Sequence, residues 1–430
     1  MSQTFRKIAP ETRVIKSFPV PQITESHLVN GQRHYISHTD SLGVVKMMLW
    51  FPNGISVQKS SFIATAAYEL LMSGGDGKTE KEIIGYLDHL GATVQFDCEL
   101  YGATATIRCS KERASEVLKW VTNHIIKCAY PQRDFENYLL IKRASMERKM
   151  QTPQYWSAKL ASENYYGKEH LLGKHGRLED IDSLKREDVV EYHMEHIHPG
   201  KSMLLVAGDC DEKLGAELLS IHNEYFKENF DFKIGEANLK GMNEFTEIIK
   251  HSLPNSTQVS LQLLKHIGYL EETDLHKFTL LNMVLGGYFG SRLMQEIREE
   301  KGLTYGIGSY FRTAMDGRSW VISGEMNSEN ADLALECVIE IMHNLRIEKI
   351  DNEELERAKR YYSGQFRSGF DGPFSSAAKI QQKIMRQYSD NFYENTLKEI
   401  WNVSPEEILE VAQNYLDPNT FIKVMAGKVN

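Results

Sequence analysis

Residues 181–208 and 400–427 align without a gap at a constant offset of 219, close to half of the 430-residue chain. IDSLKREDVVEYHMEHIHPGKSMLLVAG lies over IWNVSPEEILEVAQNYLDPNTFIKVMAG, pairing Glu187 with Glu406, Glu191 with Glu410, Pro199 with Pro418 and Gly208 with Gly427. Each copy reads as a helix that opens with acids, a turn containing Pro, and an apolar strand closed by Gly. A repeat of this length restricts the chain to folds built from two copies of one unit.

The flanks repeat as well. The first half has a strand at Val44–Phe51, helices over Ser60–Met72 and Thr79–Leu90, strands at Ala92–Phe96 and Ala103–Cys109, then helices through Tyr166. In the second half a strand at Gln258–Lys265 precedes helices over Leu275–Leu285 and Ser291–Glu300. Strands at Thr304–Phe311 and Trp320–Glu325 follow, then long helices through Tyr388. Strands adjacent in sequence, with helices grouped between them, predict an α+β class: two homologous domains, each an antiparallel-rich sheet packed with several helices. The expected organisation is a tail over 1–22, a domain over 23–225, a charge-rich linker over 226–248 and a second domain over 249–430.

Composition removes several function classes. Fifty Lys and Arg against 59 Asp and Glu leave a net charge of −9 with no basic stripe, which argues against nucleic acid. The longest apolar stretches are strand-sized, short of the roughly 20 residues a membrane helix needs. The N-terminal sequence is charged throughout and lacks a signal-peptide apolar region, so a cytoplasmic location is expected. Five Cys with no CxxC pair predict reduced thiols.

Three motifs invite chemistry and give little. GGDGKTE ends like a phosphate-binding loop, but its first Gly would have to stand at Met72, so a turn is expected. HMEHIH could bring His193, His196 and His198 to a metal, yet its counterpart AQNYLD has no ligands. His170 and His175 read as solvated or hydrogen-bonded loop histidines.

GGYFGSRLMQEIREEKGLTYGIGSY (286–310), with the paired helix, turn and strand ends, strongly resembles the pitrilysin/insulinase family of zinc peptidases, especially its half-length bacterial members and the mitochondrial processing peptidase subunits. That resemblance implies two similar α+β domains per chain and two chains closing as a clamshell around peptides. Peptide-cutting members carry HxxEH, two zinc-binding His and a water-activating Glu; the matching TAAYELLMSGG holds Ala66, Glu69 and Leu70 there. The family's third ligand falls between Ser145 and Glu147, with Glu147 the candidate. No metal or other cofactor is expected in this chain; zinc is expected in a partner.

The second half keeps the family's Arg and Tyr seven residues apart, Arg298 and Tyr305 in REEKGLTY. Gly302 suits the position after a helix end, which puts Arg298 in the last turn and Tyr305 on the next strand. The resemblance gives Tyr305 an oxyanion hydrogen bond and Arg298 a substrate carbonyl, both acting in trans. The leading expectation is a zinc-free subunit paired with an HxxEH-bearing half-length relative, or with itself, acting on peptides. A non-enzymatic peptide-binding or scaffold subunit and an independently active hydrolase are the alternatives.

Overall fold

A computed structural model describes residues 14–20, 23–27, 33–39, 42–197, 201–227, 245–314 and 317–429. Most of the expected tail and linker, together with His198 and Pro199, lie outside the described residues.

The first sheet contains β1 (Thr24–His27), β2 (Arg33–His38), β3 (Val44–Phe51), β4 (Thr93–Cys98), β5 (Ala103–Ser110) and β6 (Met203–Gly208), in the order β1-β2-β6-β3-β5-β4. The second contains β7 (Ile248–Ser252), β8 (Gln258–Gly268), β9 (Thr304–Ala314), β10 (Gly317–Asn327) and β11 (Ile422–Gly427), in the order β9-β10-β8-β11-β7. β6 and β11 are the duplicated apolar strands, and their neighbours correspond. Each has a parallel partner on one side, β2 or β7, and an antiparallel one on the other, β3 or β8. The duplication is therefore one of topology as well as sequence, and the α+β class is observed.

The longer helices of the first half are α1 (Ile63–Glu69), α2 (Glu80–His89), α3 (Ala114–Ile126), α4 (Gln132–Met150), α5 (Pro153–Tyr166), α6 (Arg186–Tyr192) and α7 (Glu212–Tyr225), with a single turn at Leu178–Asp182. Those of the second are α8 (Glu272–Asn282), α9 (Ala331–Ile347), α10 (Asn352–Ser368), α11 (Pro373–Met385), α12 (Phe392–Asn402) and α13 (Pro405–Tyr415). Thr79 caps α2 and forms a reciprocal pair with Glu82: Glu82 N–H donates to Thr79 Oγ1, and Thr79 N–H donates to Glu82 Oε2 at 2.9 Å. GKTE is thus a turn and a helix start, not a phosphate cradle.

Alternation decides which face of each sheet is core. Val45, Met47, Leu49 and Phe51 of β3 join α1, α3 and α7 in one cluster; Val259, Leu261 and Leu263 of β8 join α8, α9 and α13 in the other. Each opposite face is covered by a helix from the other half. Ala377 and Ile380 of α11 seal Met48, Trp50, Met203 and Leu205, while Ala161 of α5 packs on Leu264, Val321, Ile422 and Val424. Fully burying such side chains contributes about 1.5–3 kcal/mol each, so the exchange makes each half stabilise its neighbour.

Candidate functional site

The residues that the resemblance sets at zinc-ligand positions, Ala66 and Leu70, form part of the first core. Ala66 is fully buried in α1, and Leu70, one turn later, is 8% exposed and donates its N–H to the Ala66 carbonyl at 3.1 Å. Glu69 points the other way, toward solvent, and pairs with Lys142 of α4 at 2.9 Å. The Lys142 ammonium also lies 5.4 Å from the Tyr138 ring centre and 5.8 Å from that of Phe62. Burial works against this ammonium, but the Tyr138 hydroxyl and the Glu69 carboxylate outweigh it and hold its pKa above the usual lysine value. Phe62, which starts α1, sits at φ 73, a left-handed conformation costly for an aromatic residue.

Glu147 is exposed and pairs with Arg143 at 3.2 Å, and Ser145 is half-buried. Two apolar side chains, a lysine-bound Glu69 and an exposed Glu147 do not fit a zinc ion. Among the described residues no group of three or more His, Cys, Asp and Glu could hold a metal. Lys142 had no signal in the sequence. It is one cation on a helix rich in them, and only the packing of α4 on α1 brings it to Glu69.

Two histidines of HMEHIH, His193 and His196, have structural partners. Tyr130 Oη donates to the Ala67 carbonyl at 3.0 Å and lies 2.7 Å from His193 Nδ1, so the imidazole donates to it and fastens the α6 end to α1. His196 is half-buried against the Tyr192 ring, and burial lowers its pKa. His175 Nε2 is 2.7 Å from Ser162 Oγ, and His170 Nδ1 accepts from Leu172 N–H at 3.2 Å. All five cysteines are free thiols.

The second-half site is built by close backbone approach. Gly286 lies where a Cβ would sit 2.6 Å from the Ser309 nitrogen, so only Gly lets the turn rest on β9. Asn282 ties the same region together, donating to the Ser309 carbonyl at 3.2 Å and accepting from Trp320 Nε1 at 3.0 Å. Arg298 falls in the last turn of the helical segment Met294–Glu300, and Gly302 follows at φ 63. The Arg298 guanidinium lies 4.9 Å from the Phe289 ring centre and 3.0 Å from Glu299 Oε1.

Tyr305 sits on a β-bulge. On β10, Thr304 pairs with Met326 and Gly306 with Glu325, which leaves Tyr305 between them without a partner. The Gly306 N–H donates to Thr304 Oγ1 at 3.0 Å and pins the bulge. A bulge re-aims a side chain, and Tyr305 is 86% exposed, the most exposed of the large hydrophobic side chains described. It borders a cavity of about 560 Å³ whose polar wall includes Gln154, Ser157, Gln258 and Gln262. Gln262 is 4% exposed, and its Nε2 has no acceptor among the described residues. Sequence reasoning singled out Arg298 and Tyr305 but missed the cavity, which forms only where α5 of the other half meets this sheet. No described helix is long and apolar enough to cross a membrane.

Comparison with known proteins gives one consistent picture. The Peptidase M16 inactive domain family matches residues 183–362. An uncharacterized zinc protease of Rickettsia bellii is 23% identical over 364 residues, covering 82% of this chain and 81% of that protein. The probable inactive metalloprotease YmfF of Bacillus subtilis is 22% identical over 278 residues, covering 64% and 63%. The crystal structure of a peptidase M16 inactive domain from Pseudomonas fluorescens shares the fold at a TM-score of 0.83 and 20% identity, covering 94% of this chain and 98% of that one. The periplasmic protease PqqL of Escherichia coli matches 97% of this chain with 46% of its own, at a TM-score of 0.77 and 13% identity.

Proposed function

Since the chain belongs to the pitrilysin/insulinase family of zinc peptidases, with Ala66 and Leu70 in place of the two HxxEH imidazoles, we propose that it is the zinc-free half of a two-chain peptidase. A half-length relative bearing HxxEH supplies the metal site; this chain supplies one wall of the peptide chamber together with Arg298 and Tyr305. The Tyr305 hydroxyl donates to the oxyanion that forms on the attacked carbonyl, and the Arg298 guanidinium holds a neighbouring peptide carbonyl.

The observation that carries this reading is the bulge. It lifts one phenol out of its sheet, 86% exposed, at the mouth of a polar cavity, where neither packing nor intrachain hydrogen bonding accounts for it. The test is reconstitution with an HxxEH-bearing relative and a peptide assay. Tyr305→Phe should lower turnover on the order of 100 to 1,000-fold while the chains still associate; wild-type turnover in that variant would overturn the proposal. One contact favours the second reading, a non-enzymatic scaffold: Glu299 lies 3.0 Å from Arg298 and offsets its charge. If Arg298→Ala leaves both the Michaelis constant and the rate unchanged, the scaffold reading takes over.

A further inference from the structure

A second cavity, of about 570 Å³, lies between the two halves and meets the Tyr305 cavity at Arg312, which lines both. Its walls come from the β4–β5 turn (Glu99, Tyr101, Gly102), from Arg312 near the end of β9, and from Lys379 and Arg386 on and just after α11. Three cations therefore face a single acid, in a chain whose net charge is −9.

Among the described residues none of the three cations makes an ion pair or a side-chain hydrogen bond. The contrast with the buried lysines is sharp. Lys46, Lys265, Lys359 and Lys423 each donate to a backbone carbonyl, at distances from 2.5 to 3.2 Å. Lys379 has no such acceptor, and burial together with the nearby Arg386 charge lowers its pKa. Concentrating like charge in a partly desolvated cleft is unfavourable unless an anion completes it.

We propose that this cleft is an anion subsite that takes a carboxylate of a bound peptide, either an acidic side chain or the C-terminal carboxylate. The proposal rests on the peptide-binding reading above. Arg312 follows Tyr305 by seven positions on β9, about 23 Å along an extended strand. A peptide reacting at Tyr305 would therefore present its carboxylate about seven residues away. The cavity between the two points suits peptide amides: besides Arg312 and Glu325 its wall carries the neutral polar side chains of Gln154, Ser157, Gln258 and Ser323, and the buried Gln262 amide nitrogen there lacks an acceptor among the described residues.

The test uses the full chain and three fluorescent peptides of about eight uncharged residues. One is amidated at its C-terminus, one has a free C-terminal carboxylate, and one is amidated with a single terminal Glu. By anisotropy, at least one carboxylate peptide should bind about tenfold more tightly than the neutral one, and which of them does so identifies the source of the anion. The preference should vanish in Arg312→Gln/Lys379→Gln and survive Lys379→Arg, with circular dichroism showing all variants folded. Equal binding of all three peptides, or a preference that persists in the double variant, overturns the anion subsite and leaves peptide binding standing. No binding of any peptide overturns both.

Discussion

The outer faces of the two sheets correspond strand for strand and yet differ. Strand register makes them comparable residue by residue: Met48 pairs with Leu205 and Trp50 with Met203, while Gln262 pairs with Val424 and Leu264 with Ile422. In the first sheet Met48 and Trp50 are buried under Ala377 and Ile380 in an apolar layer, with the Lys46 ammonium at its edge donating to the Phe374 carbonyl. In the second, Ser260 and Gln262 stand at the equivalents of Lys46 and Met48, Ser260 Oγ is 2.8 Å from Ser157 Oγ, and a cavity remains. The edges differ in the same sense: β4 pairs with β5 in unbroken register from Thr93 to Cys98, whereas β9 carries the bulge at Tyr305. At these central positions one copy is sealed and the other open, and the cavity of the first copy lies only at its rim, by the β4–β5 turn. The sealed copy is also the one in which Ala66 and Leu70, at the positions where the family resemblance would put metal ligands, are buried packing residues.

The strongest way to break this comparison is to open the sealed face. Trp50→Ala should destabilise the chain by about 3–5 kcal/mol, because α11 cannot collapse into the space left under an indole that is 2% exposed. The equivalent Leu264→Ala should cost less, about 2–3 kcal/mol, beside a layer that already contains a cavity. Urea unfolding of the two variants measures the difference; equal losses would mean that the two faces are packed alike.

The next test tries to return chemistry to the sealed copy. Ala66→His/Leu70→His places two imidazoles in the core and should lower stability by about 1–3 kcal/mol without metal. Stoichiometric zinc binding should require Lys142→Met as well, since the Lys142 ammonium holds Glu69, and should be lost again in Glu147→Gln. Calorimetric zinc titration decides this. Equal affinity with and without Lys142 would show that its ammonium does not occupy the metal's place.

These contrasts also mark how far the sequence could be read. Strand Val44–Phe51 has its expected ends, and Gly302 stands in the left-handed conformation expected after the Arg298 helix, because apolar alternation and Gly signals are local. The parallel strands β2 and β7 were not read, since each is short and pairs with a strand far along the chain. The exchange of α5 and α11 was not legible either. Periodicity shows that a helix has an apolar face but not which sheet receives it. The Tyr305 bulge is decided by which residue of β10 opposes Thr304, a matter of pairing that no single segment encodes. The Ala66 and Leu70 losses were legible because they are changes of residue type at positions set by a resemblance.

A smaller difference between the halves concerns pH. His34 Nε2 lies 3.2 Å from His222 Nδ1, between β2 and α7, and both rings are fully buried. Burial, and then the His34 charge, hold the His222 pKa well below its ordinary value. The unfolded chain therefore binds more protons below about pH 6.5, so stability should fall as pH drops through that value. In the second half Lys265 is pushed down to about 8, mainly by burial, and its contribution changes only between there and the usual lysine value near 10.4. Urea midpoints at pH 7.5 and 5 should fall for the wild type and fall less for His222→Asn. An undiminished loss in that variant would place the acid sensitivity elsewhere.

The smallest expected effect sharpens the comparison most, because it converts one copy toward the other. Gln262→Met installs the residue type found at the equivalent Met48 and removes an amide nitrogen that has no acceptor among the described residues. Methionine is flexible enough to enter the existing space, so stability should rise by up to about 1 kcal/mol instead of falling. Peptide affinity should weaken at the same time, since the cavity beside Tyr305 loses both volume and a hydrogen-bonding group. Thermal unfolding and peptide anisotropy on the same sample separate the two effects. A clear loss of stability would mean that the Gln262 amide is already satisfied by ordered water and that the open face is a hydrated structural layer. A gain in stability with weaker peptide binding would identify the polar cavity as a feature kept for binding at the expense of packing.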